Sequence, residues 1–308
     1  PWGSNANFAV APLANRFQYP FLAPTALSRR LVEMKLPYFF LLLQQPAPMT
    51  NALVDMLKAN GVKTVALIYV DDLFGLENFA AFKVALQGSG ITLVEDKSYP
   101  GGVKDLSPVL RSMKDKNPDA FVGFTYPPDT ILASRQAKEV GFNPKFFYAS
   151  VGTAFQLYRN VMTPAGAEGV LGMGSWNGKT SPGAKAYFDA HTKKFAGKEP
   201  DRWASGHAWA GLQILQQAVE KVGLDRKALR EHIAKWRSGR LRDAGVIPSV
   251  VDKVNFQCNL DVLWWPEGRS GRRVEAVYGS ALRPRDASQV PVVRHSCPLT
   301  RWYTLVMT

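Results

Sequence analysis

Helical and strand-like patterns of apolar residues alternate between residues 49 and 150. Val62–Val70 is apolar at nearly every position, which is typical of a strand buried on both faces of a parallel sheet. A helical face precedes this strand and stops at Asn60-Gly61, a good C-cap pair. Asp71 and Asp72 follow the strand and provide an N-cap signal for a second helix, whose apolar stripe is Leu76, Phe79, Phe82 and Leu86.

The same alternation continues to residue 150. It predicts strands over 91–94, 120–124 and 145–148, and helices around 106–113 and 127–141. Strand–helix–strand units of this length build a parallel sheet covered by helices. The chain is therefore predicted to have an α/β fold.

The rest of the chain has weaker patterns. Helical spacing occurs near the N-terminus at Phe8, Val10, Ala11 and Ala14, and two further helices are predicted over 208–222 and 227–233. The stretch between residue 150 and these helices is predicted to be rich in loops. Beyond Trp236, Val250–Val254 and Val262–Trp265 are candidate strands, but no helix period recurs, and no structure is assigned to this tail.

Composition narrows the class of protein. A chain of 308 residues with 46% hydrophobic and 20% charged residues is globular and long enough for about two domains, which excludes disordered and fibrous classes. No apolar run approaches the roughly 20 residues of a membrane-spanning helix, so no direct membrane insertion is predicted. The first residues, Pro1-Trp2-Gly3-Ser4, lack the features of a signal peptide, and the start is interpreted as processed or truncated.

The net charge of +13 is unevenly distributed. Residues 1–236 contribute +8, with 18 Lys and 9 Arg, whereas residues 237–308 contribute +5, with 1 Lys and 10 Arg. The Arg-rich tail raises the alternative of a nucleic-acid-binding protein, but no recognition motif accompanies it, and no nucleic-acid partner is predicted. Cys258 and Cys297 also lie in the tail; their spacing fits no zinc or redox motif, so they are either incidental or a disulfide.

The sequence contains no convincing catalytic or metal-binding motif. The nearest phosphate-loop candidate, Gly172–Thr180, has the wrong glycine spacing, and Ser181-Pro182 follows where a helix should begin. The four His are scattered without metal-ligand spacing, and no GxSxG elbow occurs. Asp71 and Asp72 could act as paired carboxylates, although helix capping explains them more simply. The chain is predicted not to be an enzyme and to need no metal or cofactor.

Two segments place hydroxyl groups beside the start of a predicted helix. Gly3-Ser4-Asn5 precedes the N-terminal helical pattern, and Thr25 and Ser28 follow the apolar pair Phe21-Leu22. Free N–H groups at a helix start, together with a hydroxyl, form an arrangement that holds a carboxylate. The alternative is that Ser4, Thr25 and Ser28 are ordinary N-caps.

Three stretches carry a family resemblance. They are the N-terminal segment Pro1–Ser4 with Tyr19–Ala26, the strand and turn Val65–Gly75, and Arg135–Phe142. In order and spacing they resemble the type I periplasmic solute-binding proteins, and within these the leucine/isoleucine/valine-binding family that serves ABC importers. The resemblance covers about residues 1–236.

This resemblance implies a fold of two doubly wound parallel-sheet lobes that close on a ligand about a hinge. It places a partial near lobe over 1–41 and 176–236 and a far lobe over 42–175. It also implies that the family's first strand–helix units are missing before Pro1. Residues 237–308 lack the resemblance, and we hypothesise that this tail is translated out of frame.

The resemblance also implies ligand-binding residues by position. Ser4 matches a serine whose hydroxyl and amide bind the ligand carboxylate. Thr25, Ala26 and Leu27 match a second helix start that contacts the carboxylate and amino ends of the ligand. Leu27 replaces the usual hydroxyl residue, so Thr25 or Ser28 would have to compensate.

Further matching positions concern the body and the amine of the ligand. Phe74 stands where the family often has a Tyr lining the cleft, and Tyr126 matches the ligand-facing aromatic residue of the opposite lobe. The loop containing Ser150 matches the one in which amino-acid binders place an acid for the ammonium group, and no acid stands there. A buried ammonium without a carboxylate costs several kcal/mol. An aromatic or aliphatic carboxylate is therefore favoured over leucine, with Asp129 as the alternative source of negative charge.

The function implied by the resemblance is that of the solute-binding component of an ABC importer, capturing an amino acid or small carboxylate between the two lobes. Its partners would be that ligand and the permease subunits, and its location the periplasm. Two alternatives stay open: a ligand-sensing domain of the same fold read by a regulator, and a non-functional gene fragment.

Overall fold

The computed structural model describes residues 1–178 and 182–235, together with three strands nearer the C-terminus. The described chain divides into two compact units. The first unit takes Pro1–Pro48 and the segment from Ser175 to residue 235, and the second takes Met49–Gly174. The lobe boundaries that the resemblance implies, 1–41 with 176–236 and 42–175, stay a prediction.

The elements follow one another along the chain with helices and strands interspersed. In chain order they are α1 (Ser4–Arg16), β1 (Phe21–Ala23), α2 (Arg29–Glu33), β2 (Phe39–Leu41), α3 (Pro46–Ala59), β3 (Thr64–Val70), α4 (Leu73–Leu86), β4 (Thr92–Tyr99), α5 (Ser107–Asp115), β5 (Ala120–Phe124), α6 (Pro127–Glu139), β6 (Phe146–Ala149), a 3-10 turn (Val151–Ala154), α7 (Gln156–Met162), α8 (Pro164–Ala167), β7 (Val170–Leu171), α9 (Pro182–Lys194), α10 (Ser205–Val222), α11 (Arg226–Lys235), β8 (Val274–Tyr278), β9 (Val292–Ser296) and β10 (Trp302–Met307).

The first unit is built on a short parallel sheet in which Phe21 of β1 lies opposite Phe39 of β2. Successive residues of a strand point to opposite faces of the sheet. Phe39 accordingly joins a core cluster with Ala11 of α1, whereas Phe40 joins a second cluster with Trp176 and residues of α10 and α11. The two faces of this sheet therefore pack against α1 on one side and against α10 and α11 on the other.

The second unit contains five parallel strands in the order β4-β3-β5-β6-β7. The central strands β3 and β5 are buried at almost every position, in agreement with their continuous apolar sequences. The predicted α/β class with parallel sheets is confirmed. The strand order reverses between β3 and β5, and side chains at the carboxyl ends of strands beside such a reversal are well placed to meet a ligand.

Helix α4 shows both a correct and a wrong detail of the prediction. Asp72 caps it as predicted, because the N–H of Gly75 donates to Asp72 Oδ1 over 2.9 Å. The predicted stripe is partly wrong, since Leu76 is 44% exposed. The buried positions are Phe74, Gly75, Asn78, Phe82 and Leu86. Apolar residues occur all around this helix, so periodicity selects no single face, and Asn78 tolerates burial because its amide donates to the Phe74 carbonyl over 2.8 Å.

The stretch after residue 150 is more regular than predicted. It contains α7, α8, β7 and α9, so the prediction of a loop-rich segment is wrong. Pro164 stands at the first position of α8, where a missing N–H costs the helix nothing.

The C-terminal region contains three described strands, which form an antiparallel sheet in the order β8-β10-β9. The sequence pattern did not predict them. The candidate strands Val250–Val254 and Val262–Trp265 lie outside the described residues. Cys258 and Cys297 lie outside them as well. The out-of-frame origin of residues 237–308 stays a hypothesis.

Candidate functional site

Ser4 lies at the start of α1 and is 1% exposed. Gly3 precedes it with φ of 82°, a left-handed conformation that a side chain would strain. The Ser4 hydroxyl accepts a hydrogen bond of 3.4 Å from the N–H of Leu27. Because the hydroxyl is the acceptor in this bond, its own proton remains to be donated, for example to a carboxylate oxygen. The structure thus brings together two of the predicted site residues.

The predicted segment around Ala26 is held by hydrogen bonds within the first unit. The Thr25 hydroxyl donates to the Pro1 carbonyl over 2.6 Å. The Ser28 hydroxyl accepts from the N–H of Arg30 over 3.1 Å and caps α2, so the N-cap interpretation is correct for Ser28. Ala26 is fully buried in the core cluster of this unit. Both hydroxyls that were expected to compensate for Leu27 therefore have partners within the chain.

Asn7 is a residue of this neighbourhood that the sequence analysis missed. It follows Ser4 by one helical turn and is fully buried. Its side-chain nitrogen donates to the carbonyls of Gly3 (2.8 Å) and Pro1 (3.1 Å) and to the hydroxyl of Thr25 (3.3 Å). Its spacing of three residues from Ser4, which places both on one face of a helix, is the signal that could have identified it.

In the second unit, Phe74 and Tyr126 form a stacked aromatic pair. Their ring centroids lie 5.0 Å apart with an interplanar angle of 26°. Tyr126 immediately precedes α6, after β5, and its hydroxyl donates to Asp72 Oδ2 over 2.9 Å. Asp72 follows β3, so the pair stands at the reversal of strand order. Phe74 is 4% exposed whereas Tyr126 is partly exposed, so Tyr126 offers the larger accessible surface.

A second tyrosine–aspartate pair lies in the same unit. The hydroxyl of Tyr99 donates to Asp129 Oδ2 over 3.2 Å, and Asp129 is 6% exposed. Burial raises the pKa of Asp129 above its ordinary value, and the nearby charge of Asp72 raises it further, while hydrogen bonds from Tyr99 and from the backbone of Tyr126 oppose the increase. Burial and Asp129 likewise raise the pKa of Tyr99. The sequence analysis did not identify Tyr99, whose place at the end of β4 resembles that of Asp72 after β3.

Ser150 lies in the loop after β6 and is fully buried. Its hydroxyl accepts from the N–H of Thr125 over 3.3 Å, and its own N–H donates to the Gly123 carbonyl over 2.9 Å. These bonds connect the carboxyl ends of β5 and β6. The ligand-binding role of Ser150 stays a prediction, as do the roles of the other predicted site residues.

Within residues 1–178 and 182–235, no group of three His, Cys, Asp or Glu side chains is placed to hold a metal ion. In the same part of the chain, no helix has both the length and the apolar composition that crossing a membrane requires.

A family model described as periplasmic binding protein matches residues 1–251. The chain belongs to this family. Within it, the similarities are to the leucine/isoleucine/valine-binding branch of type I periplasmic binding proteins. The match extends past residue 236, where the sequence analysis placed the end of the resemblance.

Individual periplasmic binding proteins show how far the similarity reaches. The Leu/Ile/Val-binding protein homolog 7 of Brucella suis is 26% identical over 180 residues, which cover 55% of this chain and 44% of that protein. The chain therefore spans less than half the length of this curated relative.

Two solved structures share the fold. The leucine-binding protein LivK of Thermotoga maritima has a TM-score of 0.71 and 22% identity, covering 80% of this chain and 69% of that one. An ABC-transporter solute-binding protein of R. palustris, solved in complex with benzoate, has a TM-score of 0.68 and 17% identity, covering 75% and 63%.

Proposed function

We propose that this periplasmic binding protein is the solute-binding component of an ABC importer and that it captures an amino acid or a small carboxylate. The observation that carries the proposal is the pairing of the Ser4 hydroxyl with the N–H of Leu27 at the start of α1. The relatives named above bind leucine and benzoate by their descriptions. Those two ligands differ in shape and in their other groups, and a carboxylate is what they share.

The start of α1 suits a carboxylate for four physical reasons. N–H groups in the first turn of a helix lack carbonyl partners within the helix, and the helix dipole favours negative charge there. The Ser4 hydroxyl adds a donor, and hydrogen bonds to charged groups contribute about 1.5–3 kcal/mol each. Ser4 is also buried, which strengthens a hydrogen bond by excluding water.

The body of the ligand is assigned to the aromatic pair of the second unit. Tyr126 is fixed by its hydrogen bond to Asp72 and by its stacking on Phe74. A ring held in one orientation loses little conformational entropy when an apolar ligand packs on it. Each 100 Å² of apolar surface removed from water would contribute about 2.5 kcal/mol.

The charge of the second unit bears on whether the ligand carries an amine. The loop at Ser150 contains no acidic residue. Asp129 is buried, and its raised pKa indicates that its charged form is disfavoured where it stands. Its hydrogen bonds from Tyr99 and from the Tyr126 backbone already occupy it. The first candidate ligand is therefore a carboxylate without an ammonium group, and the second is an amino acid whose ammonium group is recognised by Asp129.

The remaining parts of the proposal follow from family membership. Permease subunits would be the macromolecular partners, the periplasm the location, and binding without chemical change the whole activity. A ligand recovered unaltered after incubation with the protein supports the last point, and turnover of the ligand contradicts it.

Thermal unfolding of the full chain tests the function. The panel contains leucine, 4-methylpentanoate, benzoate and phenylacetate, with benzamide and phenylacetamide as uncharged controls. A ligand that binds only the folded state raises the apparent stability by about 2.7 kcal/mol at a hundredfold excess over its Kd. Stabilisation by carboxylates but not by the amides is the expected result. Equal stabilisation by the amides, or none by any carboxylate, would overturn the proposal.

A further inference from the structure

We propose that the first unit carries a docking surface for a bilayer that contains anionic phospholipids. The surface is a basic aromatic patch of three exposed apolar side chains and three arginines: Phe17, Tyr19, Leu224, Arg16, Arg226 and Arg230. The inference goes beyond the proposed function, because none of these residues is assigned to the ligand. Docking of this kind is peripheral, so the protein would lie on the membrane surface without crossing it.

The apolar members of the patch lie in two turns that contact each other. Leu224 is 79% exposed in the turn between α10 and α11, and Phe17 and Tyr19 are 54% and 52% exposed in the turn after α1. The side chain of Arg226 joins these turns. It donates to the Phe17 carbonyl over 3.1 Å, and its guanidinium lies 3.9 Å from the centre of the Tyr19 ring. Large apolar side chains that are exposed together mark an interaction site, whereas single ones do not.

The turn that presents the two aromatic residues has a defined backbone structure. Gln18 has a left-handed φ of 57°. The N–H of Tyr19 donates to the Ala14 carbonyl over 3.0 Å, and the N–H of Gln18 donates to the Asn15 carbonyl over 3.2 Å. These two bonds form the Schellman pattern of a helix end. Because the backbone is already ordered here, little conformational entropy is lost when the turn meets another surface.

The arginines of the patch carry positive charge that no carboxylate balances. In the part of the chain that the structure describes, Arg16, Arg226 and Arg230 form no salt bridge. The guanidinium of Arg16 lies 5.5 Å from the centre of the Phe17 ring, and Nε of Arg230 donates to the Pro37 carbonyl over 3.0 Å. Their contacts within the chain are thus to rings and carbonyls, and the charge is left for an anionic partner.

The start of α11 adds to this positive charge. Arg226 and Lys227 stand in the first turn, which contains no acidic residue. The helix dipole disfavours cations at this end. Asp225, which precedes them, is engaged in capping, because its Oδ1 accepts from the N–H of Ala228 over 2.7 Å. An anion beside this turn would offset the repulsion between the cations and the dipole.

The combination of side chains favours a bilayer over other anionic partners. Phospholipid phosphates match guanidinium groups, aromatic rings suit the depth of the headgroups, and acyl chains accept an aliphatic side chain such as Leu224. A single-stranded nucleic acid would stack its bases on aromatic faces, but the guanidinium of Arg226 lies over the Tyr19 ring. A stable protein interface needs about 20–30 residues from each partner, far more than this patch supplies.

Co-sedimentation of the full chain with large vesicles tests the proposal. One vesicle contains equal parts of phosphatidylcholine and phosphatidylglycerol, and the other contains phosphatidylcholine alone. The chain is expected to bind the anionic vesicle about tenfold or more tightly than the neutral one, and to bind it more weakly as salt is raised. Because the net charge of the chain is +13, this preference alone does not locate the contact.

Removal of one apolar side chain locates the contact. Leu224→Ser should weaken binding to the anionic vesicle about five- to tenfold, since the side chain can no longer enter the bilayer interface. Val84→Ser is the matched control, because Val84 is 64% exposed on α4 of the second unit. It should bind the vesicle as the unaltered chain does.

Removal of one charge provides a second comparison. Arg226→Gln should weaken binding to the anionic vesicle about fivefold. Arg29→Gln removes the same charge from an arginine that Glu33 already pairs with over 2.6 Å, and it should weaken binding less than about twofold. Leu224→Ser changes an exposed position and is expected to fold, so it decides the question if Arg226→Gln is unstable.

The outcomes separate this inference from the proposed function. Equal vesicle binding by Leu224→Ser and Val84→Ser would overturn the patch as the docking surface. A chain that binds soluble poly-glutamate or a single-stranded oligonucleotide, but no vesicle, would overturn the bilayer as the partner. Affinity for phenylacetate in a chain that binds no vesicle would overturn this inference and leave the proposed function standing.

Discussion

The phenolic hydroxyl of Tyr126 donates a hydrogen bond of 2.9 Å to the carboxylate of Asp72, the residue that caps α4. One oxygen of this carboxylate receives the helix N–H of Gly75 and the other receives Tyr126. The cap of one helix thereby fixes the aromatic ring that precedes another. The cap of α4 and the orientation of the Tyr126 ring are therefore parts of one arrangement.

Two substitutions of Tyr126 distinguish the contribution of its hydroxyl from that of its ring. Tyr126→Phe should lower the free energy of unfolding by about 1–2 kcal/mol, because a hydrogen bond to a charged group is lost. The ring stays on Phe74, so affinity for an apolar carboxylate should change by less than about threefold. Tyr126→Leu should weaken that affinity by about tenfold, since the flat contact surface is removed.

Urea unfolding and calorimetric titration of both variants provide the measurement. Tyr158→Phe is the matched control, because Tyr158 is a buried tyrosine whose hydroxyl donates to Ser134 over 2.9 Å. It should lose stability and keep binding. Equal affinity of Tyr126→Leu and the unaltered chain would contradict the assignment of the ligand body to Tyr126.

Gly75 is expected to tolerate no side chain. A Cβ atom added there would lie 1.9 Å from the carbonyl oxygen of Val70, so α4 would have to move away from the end of β3. Gly75→Ala should destabilise the second unit by more than about 2 kcal/mol, in the range of overpacking effects. Gly101→Ala meets nothing within 4 Å and should stay within about 0.5 kcal/mol. Chemical denaturation followed by circular dichroism compares them, and a Gly75→Ala protein as stable as Gly101→Ala would refute this account of the turn.

The raised pKa of Asp129 predicts a pH dependence with a definite sign. Its folded-state pKa lies above the unfolded value, so the folded chain holds the proton more readily, and stability falls as pH rises from the unfolded pKa through the folded one. Asp129→Asn removes this loss and keeps an acceptor for Tyr99. The charged and titratable groups that face Asp129 are Asp72, Tyr99 and Tyr126.

The measurement is the free energy of unfolding of both proteins between pH 3 and pH 7. The stability of Asp129→Asn relative to the unaltered chain should increase with pH across the carboxyl range. The carboxylate of Asp119 has a lowered pKa because it accepts hydrogen bonds from the backbone N–H groups of Lys63 and Thr64. Such carboxylates make stability rise with pH, but they do so equally in both proteins, so their effect cancels in the difference. A difference that decreases with pH would show that Asp129 is stabilised in its charged form.

The sequence predicted those elements whose apolar pattern has only one interpretation. Strand β5 is apolar throughout and β3 is apolar after Thr64, and such runs, rich in β-branched and aromatic residues, are typical of a strand covered on both faces. The pattern of α4 predicted the helix correctly but its buried face wrongly. Apolar residues occur all around this helix, so tertiary packing determines which face is buried.

The candidate site was predictable in part, and for different physical reasons. Ser4 was predicted from its hydroxyl beside a helix start and from the family resemblance, and Leu27 from the resemblance alone. Their contact across 23 residues depends on packing that local patterns do not encode. Asn7 was missed because a polar residue in a helix is usually exposed, and its burial depends on carbonyls supplied by Pro1 and Gly3. Tyr99 and Asp129 pair across 30 residues, a relationship that only the order of the strands creates.

Binding of phenylacetate to the full chain and to Ser4→Ala, measured by titration calorimetry, tests the central claim most directly. Ser134→Ala is the control, since Ser134 is also a buried helical serine whose hydroxyl accepts a hydrogen bond. The account predicts saturable binding at one site that weakens about tenfold or more in Ser4→Ala and stays unchanged in Ser134→Ala. Affinity that is the same in all three proteins would contradict carboxylate capture at the start of α1.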